Sequence, residues 1–388
     1  MAFRENLSRR KFLSGSALAL TPIALNRFDL SASMAVAQSA TIIKRKLGKT
    51  DIEIPIISMG VMNADNPAVV QESYKLGIRL FDTASAYQGG RNEEMIGKVI
   101  KDLGVRKEVY IQTKFNLGRT PADQRKQTLL SELDNSLARL NMDYVDIFTL
   151  HQPTNEVMAD PAVKEAIQEM KARKKARYSG VSHHMGQAEV LDTAAKEGFD
   201  TATVSYNFSM AQDTGLLNAI RNAAKAGMGV IAMKTQNAVR GKGPGGPPVN
   251  QTAALKWVLR NPEITTAIPG YTNFDHMKED FSVAFGLDYN GDEKKFLSDQ
   301  NLMANFPFCR QCEICRQTCP QGVDIPTLMR THMYAANYGN FVHARATLDE
   351  IAANVGLKNC ADCRDCNAKC ANYVAIADNI RDLKALYL

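Results

Sequence analysis

Residues 109–151 read VYIQTKFNLGRTPADQRKQTLLSELDNSLARLNMDYVDIFTLH, and this stretch decides the fold class. Its two ends, Val109–Lys114 and Val145–His151, are rich in β-branched and aromatic residues and predict strands. Between them, Gln124–Leu140 carries leucines at helical spacing and predicts an amphipathic helix. A strand, a helix and a second strand in this order predict two parallel strands joined by a helical crossover.

The same alternation continues on both sides of this unit. Short β-rich runs recur between Ile52 and Phe285, and each is followed by a helical pattern. The candidate strands are Ile54–Met59, Arg79–Thr83, Val109–Lys114, Val145–His151, Tyr178–Ser182, Thr203–Asn207, Gly229–Lys234 and Thr265–Pro269. Eight such units in about 240 residues have the length of a (β/α)8 TIM barrel, and an open doubly wound sheet is the alternative. We therefore predict an α/β barrel domain over residues 41–288.

Polar side chains with acid–base chemistry stand where three of these strands end. Asp82 and Tyr87 follow the second strand, Lys114 ends the third, and His151 ends the fourth. In a TIM barrel the chemistry lies at the carboxyl ends of the strands, so we expect these groups to share one pocket. An ammonium group stabilises a phenolate, so Lys114 is expected to lower the pKa of Tyr87 from its ordinary value of about 10. Such a tyrosine could give a proton to a carbonyl oxygen while hydride reaches the carbonyl carbon.

Several short motifs surround these residues. They are Phe81-Asp82-Thr83-Ala84, Tyr87, Asn92-Glu93-Glu94 with Ile96-Gly97, Thr113-Lys114, Leu150-His151 and Gly180-Val181-Ser182. Together they resemble the aldo/keto reductase family, and the similarity runs from about Ile43 to Phe285. The resemblance implies that Tyr87 is the general acid and that Asp82, Lys114 and His151 complete a catalytic tetrad. It further implies a small carbonyl compound or alcohol as the substrate.

The resemblance also implies a nicotinamide cofactor, either NAD or NADP. The positions that would contact it are, in chain order, Ser182, His183, Tyr206, Lys234 and Gly270. Tyr206 would stack on the nicotinamide ring, and His183 stands where the family has an asparagine. Gly270 and His276 stand where the family often has the lysine and arginine that hold a 2′-phosphate. A site without a guanidinium fork recognises phosphate less well, so the choice between NAD and NADP stays open.

All eight cysteines lie within residues 309–388, in two runs that each read C-x2-C-x2-C-x3-C. The first run is Cys309, Cys312, Cys315 and Cys319, and the second is Cys360, Cys363, Cys366 and Cys370. This is the ligand spacing of proteins that hold two 4Fe-4S clusters, in which the fourth cysteine of a run usually binds the other cluster. The predicted ligand sets are therefore Cys309, Cys312, Cys315 and Cys370 for one cluster, and Cys360, Cys363, Cys366 and Cys319 for the other. Zinc and disulfide bonds are the alternatives, but zinc favours well-separated C-x2-C pairs and disulfide frameworks spread cysteines through the fold.

The forty residues between the two runs have helical patterns, Thr327–Tyr338 and Phe341–Ile351, bounded by Pro326 and Gly339. Long helices between cysteine runs resemble the α-helical ferredoxins of respiratory dehydrogenases. We therefore predict a mainly helical, ferredoxin-like domain over residues 289–388.

Residues 1–37 have the order of a twin-arginine export signal. Ser8-Arg9-Arg10-Lys11-Phe12-Leu13 precedes a mildly apolar stretch, and Ala35-Val36-Ala37 offers a cleavage site. This pattern predicts a periplasmic protein, and a disordered basic tail is the alternative. The apolar stretch is too short and interrupted for a stable membrane span. The formal net charge of +6 is no signature of nucleic-acid binding.

The two halves of the chain differ in their electron chemistry, because a nicotinamide gives two electrons as hydride whereas a cluster takes one at a time. Three hypotheses therefore stay open. The chain could be an exported oxidoreductase that relays electrons between a carbonyl or alcohol substrate, its clusters and a redox partner protein. It could be an electron-transfer subunit whose barrel is a docking scaffold, or an NAD(P)-linked reductase whose clusters are structural.

Overall fold

The computed structural model describes residues 41–236, 249–299, 308–363 and 365–388. Ile42–Leu388 forms one compact unit. The predicted export signal at residues 1–37 lies outside the described residues.

Parallel strands form the central sheet, in which neighbours in the sheet are also neighbours along the chain. They are β3 (Met59–Gly60), β4 (Leu80–Asp82), β5 (Tyr110–Phe115), β6 (Val145–His151), β7 (Ala176–His183), β8 (Thr201–Ser205), β9 (Gly229–Met233) and β10 (Ile264–Ala267). Every pairing in this sheet is parallel. A parallel bridge between Ile57 and Ala267 joins β10 to the segment before β3, so the sheet closes on itself. The predicted TIM barrel is confirmed, and the open doubly wound sheet is excluded.

The first predicted strand, Ile54–Met59, is divided between two elements. Glu53–Pro55 forms β2, which pairs antiparallel with β1 (Lys44–Lys46) in a hairpin, and only Met59–Gly60 enters the barrel as β3. Leu47, Ile52 and Ile54 of the hairpin are fully buried in one apolar cluster with side chains of the barrel strands. One continuous apolar run therefore contributes to both the hairpin and the barrel. A strand pattern in the sequence does not show where one element ends and the next begins.

Helices follow the strands and cover the barrel. Their bounds are α1 (Pro67–Leu76), α2 (Arg91–Leu103), α3 (Arg125–Leu140), α4 (Asn155–Ala159), α5 (Pro161–Ala172), α6 (Gln187–Lys196), α7 (Thr214–Lys225), α8 (Gln251–Leu259), α9 (Phe274–Ser282) and α10 (Gly291–Ser298). Leu129, Leu133 and Leu140 of α3 are fully buried, and each such leucine contributes about 1.5–3 kcal/mol to folding. A Cβ on Gly97 of α2 would lie 2.0 Å from the carbonyl oxygen of Leu140, so the close approach of α2 to the end of α3 requires glycine.

The C-terminal module, which is the predicted ferredoxin-like domain, is helical in its described residues, as predicted. It contains α11 (Ile325–His332), a π-helical turn (Met333–Asn337), α12 (Phe341–Asp349) and α13 (Ile376–Tyr387). Val323, Leu328 and Leu383 are fully buried and form the centre of a core that belongs to the module alone. Within the described ranges, no helix has the length and apolar character needed to cross a membrane.

The module lies on the carboxyl ends of the barrel strands. Arg330 of α11 is buried and donates a hydrogen bond to the Gln152 side-chain oxygen just after β6, at 2.7 Å. Asn340 donates to the Asn63 side-chain oxygen in the loop after β3, at 2.8 Å. The face on which TIM barrels place their chemistry is therefore covered by the cysteine-bearing module.

Candidate active site and cysteine groups

The four predicted catalytic residues line one pocket at the carboxyl ends of β4, β5 and β6, with a cavity of about 240 Å³. Lys114 Nζ lies 2.7 Å from Asp82 Oδ1, and it donates to the Tyr87 hydroxyl oxygen at 3.3 Å. The rings of Tyr87 and His151 meet edge to face, with centroids 6.4 Å apart. The structure thus brings together an acid–base group, a buried ion pair and an imidazole around one small space.

Lys114 uses each of its three N–H donors. Besides Asp82 and Tyr87, Nζ donates to the Thr83 carbonyl oxygen at 2.7 Å. Gln112 Nε2 donates to Asp82 Oδ1 at 2.6 Å and fixes the carboxylate from its other side. Burial raises the pKa of Asp82 and lowers the pKa of Lys114, and the contact between the two groups counteracts both shifts. The ammonium is therefore held in a single position facing the phenol oxygen.

The pKa of Tyr87 shifts in the direction opposite to the one expected from the sequence. Burial, with the carboxylates of Asp82 and Glu350, raises the pKa of Tyr87 well above its ordinary value of 10.0. The expected lowering by Lys114 is wrong because Asp82 compensates the ammonium charge, so that desolvation of the phenolate dominates. Tyr87 is a neutral phenol at physiological pH, which suits a proton donor.

His151 is a neutral imidazole in this pocket. Burial, followed by the charge of Lys114, lowers the pKa of His151 well below 6.5. A neutral ring has one N–H donor and one acceptor nitrogen, so it can orient a substrate oxygen without adding charge.

The module provides one wall of the pocket. Tyr334, Asn337 and Tyr338 line it opposite the barrel residues. The ring of His343 on α12 meets the Tyr87 ring edge to face at 5.2 Å, and His343 Nδ1 is buried without a hydrogen-bond partner. Sequence reasoning missed these groups because their docking depends on contacts between distant parts of the chain.

Lys234, at the end of β9, lies under this wall. Its Nζ is 4.5 Å from the centroid of the Tyr334 ring and 5.1 Å from that of Tyr338, which are cation–π distances. Burial, with Arg330 and Lys114 nearby, lowers the pKa of Lys234 to about 7. Within the described ranges no carboxylate pairs with its ammonium, so this lysine is suited to contact an anionic group of a ligand.

The predicted cofactor contacts divide into two sets. Ser182, Lys234 and Gly270 line the pocket, and the Ser182 hydroxyl is buried without a hydrogen-bond partner. A buried hydroxyl of this kind fits a polar ligand group such as the carboxamide of a nicotinamide, because an unsatisfied buried polar atom is costly.

The other two predicted contacts, His183 and Tyr206, do not line this pocket. His183 Nδ1 contacts the Met185 backbone, and the ring lines a separate pocket, whereas the next residue, His184, faces the active site. Tyr206 packs against Trp257 of α8 with ring centroids 5.1 Å apart, so it is not positioned to stack on a ligand. Side chains alternate along a strand, and at the end of β8 this places Ser205, rather than Tyr206, on the inner side.

The eight cysteines form no disulfide bonds, and they lie in two groups that combine both runs. The inner group is Cys309, Cys312, Cys315 and Cys370, and the outer group is Cys319, Cys360, Cys363 and Cys366. In the inner group, burial and the neighbouring thiols Cys370 and Cys315 raise the pKa of Cys309 to about 12. The outer group lines a single cavity.

Four thiols around one cavity are a donor set that fits an iron–sulfur cluster, because iron prefers soft sulfur ligands. Across the described ranges, no three His, Cys, Asp or Glu side chains are arranged to hold a single metal ion.

Replacing His343 by Asn should make the protein less sensitive to mild acid. Burial, with Lys234 and Arg330 nearby, lowers the pKa of His343 from 6.5 to about 3. Near pH 5.5 the unfolded chain therefore binds a proton at His343 that the folded chain does not, which destabilises the fold as the pH falls below the unfolded pKa. For one histidine with this shift, the free energy of unfolding should fall by about 1 kcal/mol between pH 7 and pH 5.5.

Anaerobic denaturant unfolding at pH 7 and pH 5.5 measures this contribution. The wild-type protein should lose about 1 kcal/mol more of its free energy of unfolding than His343→Asn does. Equal losses in the two proteins would show that His343 titrates normally in the folded state.

Comparisons with known proteins agree with this geometry. The Aldo/keto reductase family matches residues 59–238, and the 4Fe-4S dicluster domain matches residues 308–375. An L-galactose dehydrogenase from Arabidopsis thaliana is 26% identical over 297 residues, which are 66% of this chain and 92% of that protein. A methylglyoxal reductase from Escherichia coli O157:H7 is 31% identical over 150 residues, which are 38% of this chain and 48% of that protein.

Solved structures show the same fold. An aldo-keto reductase from Bacillus halodurans aligns with a TM-score of 0.55 at 22% identity, covering 68% of this chain and 97% of that one. The family matches together show that the chain is an oxidoreductase with an aldo/keto reductase domain and a 4Fe-4S dicluster domain.

Proposed function

We propose that the chain interconverts a small carbonyl compound and its alcohol in the pocket between the barrel and the module, with Tyr87 as the general acid. The observation that carries this proposal is the position of Lys114, whose ammonium bonds the Asp82 carboxylate and the Tyr87 hydroxyl in one buried site. That arrangement joins a proton donor to a fixed cation, which is what carbonyl reduction needs at the oxygen.

In the reductive direction, the Tyr87 hydroxyl donates its proton to the substrate oxygen as hydride reaches the carbon. Lys114 stabilises the phenolate that forms, because its third N–H already points at the phenol oxygen. Asp82 holds the ammonium, and the neutral ring of His151 orients the substrate oxygen. In the oxidative direction the phenolate accepts the alcohol proton, so the same groups act in reverse.

We propose NAD or NADP as the hydride carrier. Ser182 would hold its carboxamide and Lys234 would face an anionic group, which agrees with the unpartnered Ser182 hydroxyl and with Lys234 lacking a carboxylate among the described residues. The bound nicotinamide would supply hydride to the substrate. The barrel residues then position the carbonyl and move the proton.

Each cysteine group would hold one 4Fe-4S cluster, and the pair would exchange single electrons with a redox partner protein. Cys312 and Cys366 are the exposed members of the two groups.

Export by the twin-arginine route to the periplasm is also part of the proposal and is supported by the motif in residues 1–37. Cell fractionation tests it: an Arg9→Lys, Arg10→Lys protein should stay in the cytoplasm, and a wild-type protein that stays there would overturn it.

Anaerobic purification followed by assay of iron, sulfide and released nucleotide tests the function directly. We expect about eight irons per chain, bound NAD or NADP, and a reduced-cluster EPR signal after NADH or NADPH is added. About eight irons without nucleotide or cluster reduction would favour the docking scaffold instead. Full turnover with clusters that stay oxidised would favour structural clusters.

Ser182→Ala should weaken nucleotide binding by about tenfold, the effect of losing one neutral hydrogen bond in a buried site. Calorimetric titration with NADH and NADPH measures the change. Ser131→Ala, on the exposed surface of α3, is the matched control and should bind as tightly as wild type. Equal affinity in the Ser182 variant would show that its hydroxyl does not contact the nucleotide.

A further inference from the structure

The two cysteine groups differ in their relation to the active site. Cys309 of the inner group lines a small apolar cavity together with His184 and Lys234, and these two residues also line the active-site pocket. The outer group lines a different cavity together with Arg381 and Lys384 of α13. None of the described residues around that outer cavity borders the active-site pocket. The inner group is therefore the one next to the catalytic residues.

The inner sulfurs also receive hydrogen bonds. Gln311 Nε2 donates to Cys309 Sγ at 3.1 Å, and the same nitrogen donates to the Pro326 carbonyl oxygen at 2.8 Å. The Asn372 backbone N–H donates to Cys370 Sγ at 3.2 Å, and its side-chain nitrogen lies 3.6 Å from Cys312 Sγ. Gln311 is 8% exposed, so its amide is held in a drier environment in which a hydrogen bond to sulfur is stronger.

The outer sulfurs have a different environment. Among the described residues, no N–H donor bonds to an outer sulfur, and Cys363 Sγ lies 4.0 Å from the Asn359 carbonyl oxygen. Lys384 Nζ is engaged with the carbonyl oxygens of Cys360 and Ala361. Charges of both signs stand near the outer group, because Asp362 and Asp365 are close to Cys363 in the sequence and Arg381 and Lys384 line the cavity.

Hydrogen bonds to ligand sulfurs raise the reduction potential of a cluster, because they stabilise the more negative reduced form. Neighbouring cations act in the same direction, and carboxylates act against it. Cations lie near both groups, since Arg330 and Lys234 line the cavity beside the inner group and Arg381 and Lys384 line the outer cavity. The two groups therefore differ in their hydrogen bonds, which among the described residues reach the inner sulfurs alone.

We propose that Gln311 and Asn372 set the reduction potential of the inner centre above that of the outer centre. Electrons from a one-electron donor protein at the outer cysteines are then drawn toward the active site. In each transfer the donor loses one electron and the inner centre gains it, with no proton moved. The inference rests on the proposed function only in requiring that the cysteines hold two clusters.

An EPR-monitored redox titration with dithionite and mediators tests this on the full-length protein, purified anaerobically. The wild type should show two transitions, and Gln311→Met should lower the potential of the higher one alone. Asn372→Ala, at a half-buried position, should shift the same transition by a smaller amount. Gln321→Met, beside the outer group and without a bond to sulfur among the described residues, is the matched control and should shift neither.

Cys366→Ser assigns the signals, because an altered ligand changes the spectrum of the outer centre alone. The proposal would be overturned if Gln311→Met changed the reduction potential of the outer centre, or if it changed the potential of neither centre. The titration needs no turnover, so a Tyr87→Phe protein should titrate like wild type. About eight irons with equal potentials would defeat this inference alone, whereas absence of iron would defeat the proposed function as well.

Discussion

A Tyr87→Phe protein should reduce carbonyl substrates about 10²- to 10⁴-fold more slowly than wild type, because removing a positioned general acid costs a factor of this size. Lys114 links the phenol to the Asp82 carboxylate, because its ammonium contacts both groups. Phenylalanine keeps the ring that packs against His151 and His343. The pocket should therefore retain its shape and lose only the proton. Steady-state kinetics with a small aldehyde should show a fall in kcat and little change in KM.

Two further measurements make this result specific to proton transfer. Iron content and nucleotide binding of the Tyr87 variant should equal those of wild type, since neither depends on the hydroxyl. Tyr178→Phe is the matched control, because it removes a tyrosine hydroxyl that donates to the Asp51 carboxylate at 2.8 Å, away from the pocket. This variant should have wild-type kinetics. Wild-type turnover in Tyr87→Phe would show that the tetrad is not catalytic and would favour a barrel that serves as a docking scaffold.

Replacing Cys370 by Ala should remove a whole cluster, and it should be the one that Cys309→Ala also removes. The structure groups Cys370 with the first cysteine run although it belongs to the second. Iron should therefore fall from about eight to about four per chain, with one of two EPR signals lost. Because metal-binding energy contributes to folding, the module should also unfold more easily.

The reciprocal pair provides the control. Cys319→Ala and Cys360→Ala should both remove the other signal, since these two thiols share the outer cavity. If Cys370→Ala instead removed the same signal as Cys360→Ala, each run would hold its own cluster and the ligand sets proposed here would be wrong. Zinc in place of iron and sulfide would exclude both arrangements.

The barrel could be predicted from the sequence because the patterns that specify its strands and helices each lie within a short stretch of the chain. The apolar periods of Gln124–Leu140 and of the flanking strands predict the βαβ unit, and α3 is observed at Arg125–Leu140. The convergence of Asp82, Lys114 and His151 follows from parallel pairing alone, since each ends a neighbouring strand. The predicted position of each residue along its strand was sufficient to place it in the pocket.

What could not be predicted depends on three-dimensional surroundings. The direction of the Tyr87 pKa shift depends on how far burial outweighs a compensated ammonium, and burial is not visible in a motif. Tyr206 and His183 were assigned by resemblance, but Tyr206 packs against Trp257 and His183 contacts the Met185 backbone. Tyr334 and Tyr338 belong to a module whose docking on the barrel has no periodic signal in the sequence.

The wall formed by Tyr334, Asn337 and Tyr338 has a consequence for how the protein matures. These residues lie between the two cysteine runs, and both cysteine groups combine thiols from both runs. Loading of iron would therefore tie down both ends of the segment that encloses the catalytic residues. The tetrad comes entirely from the barrel, whereas the wall that completes its pocket belongs to a segment whose two ends iron loading would hold.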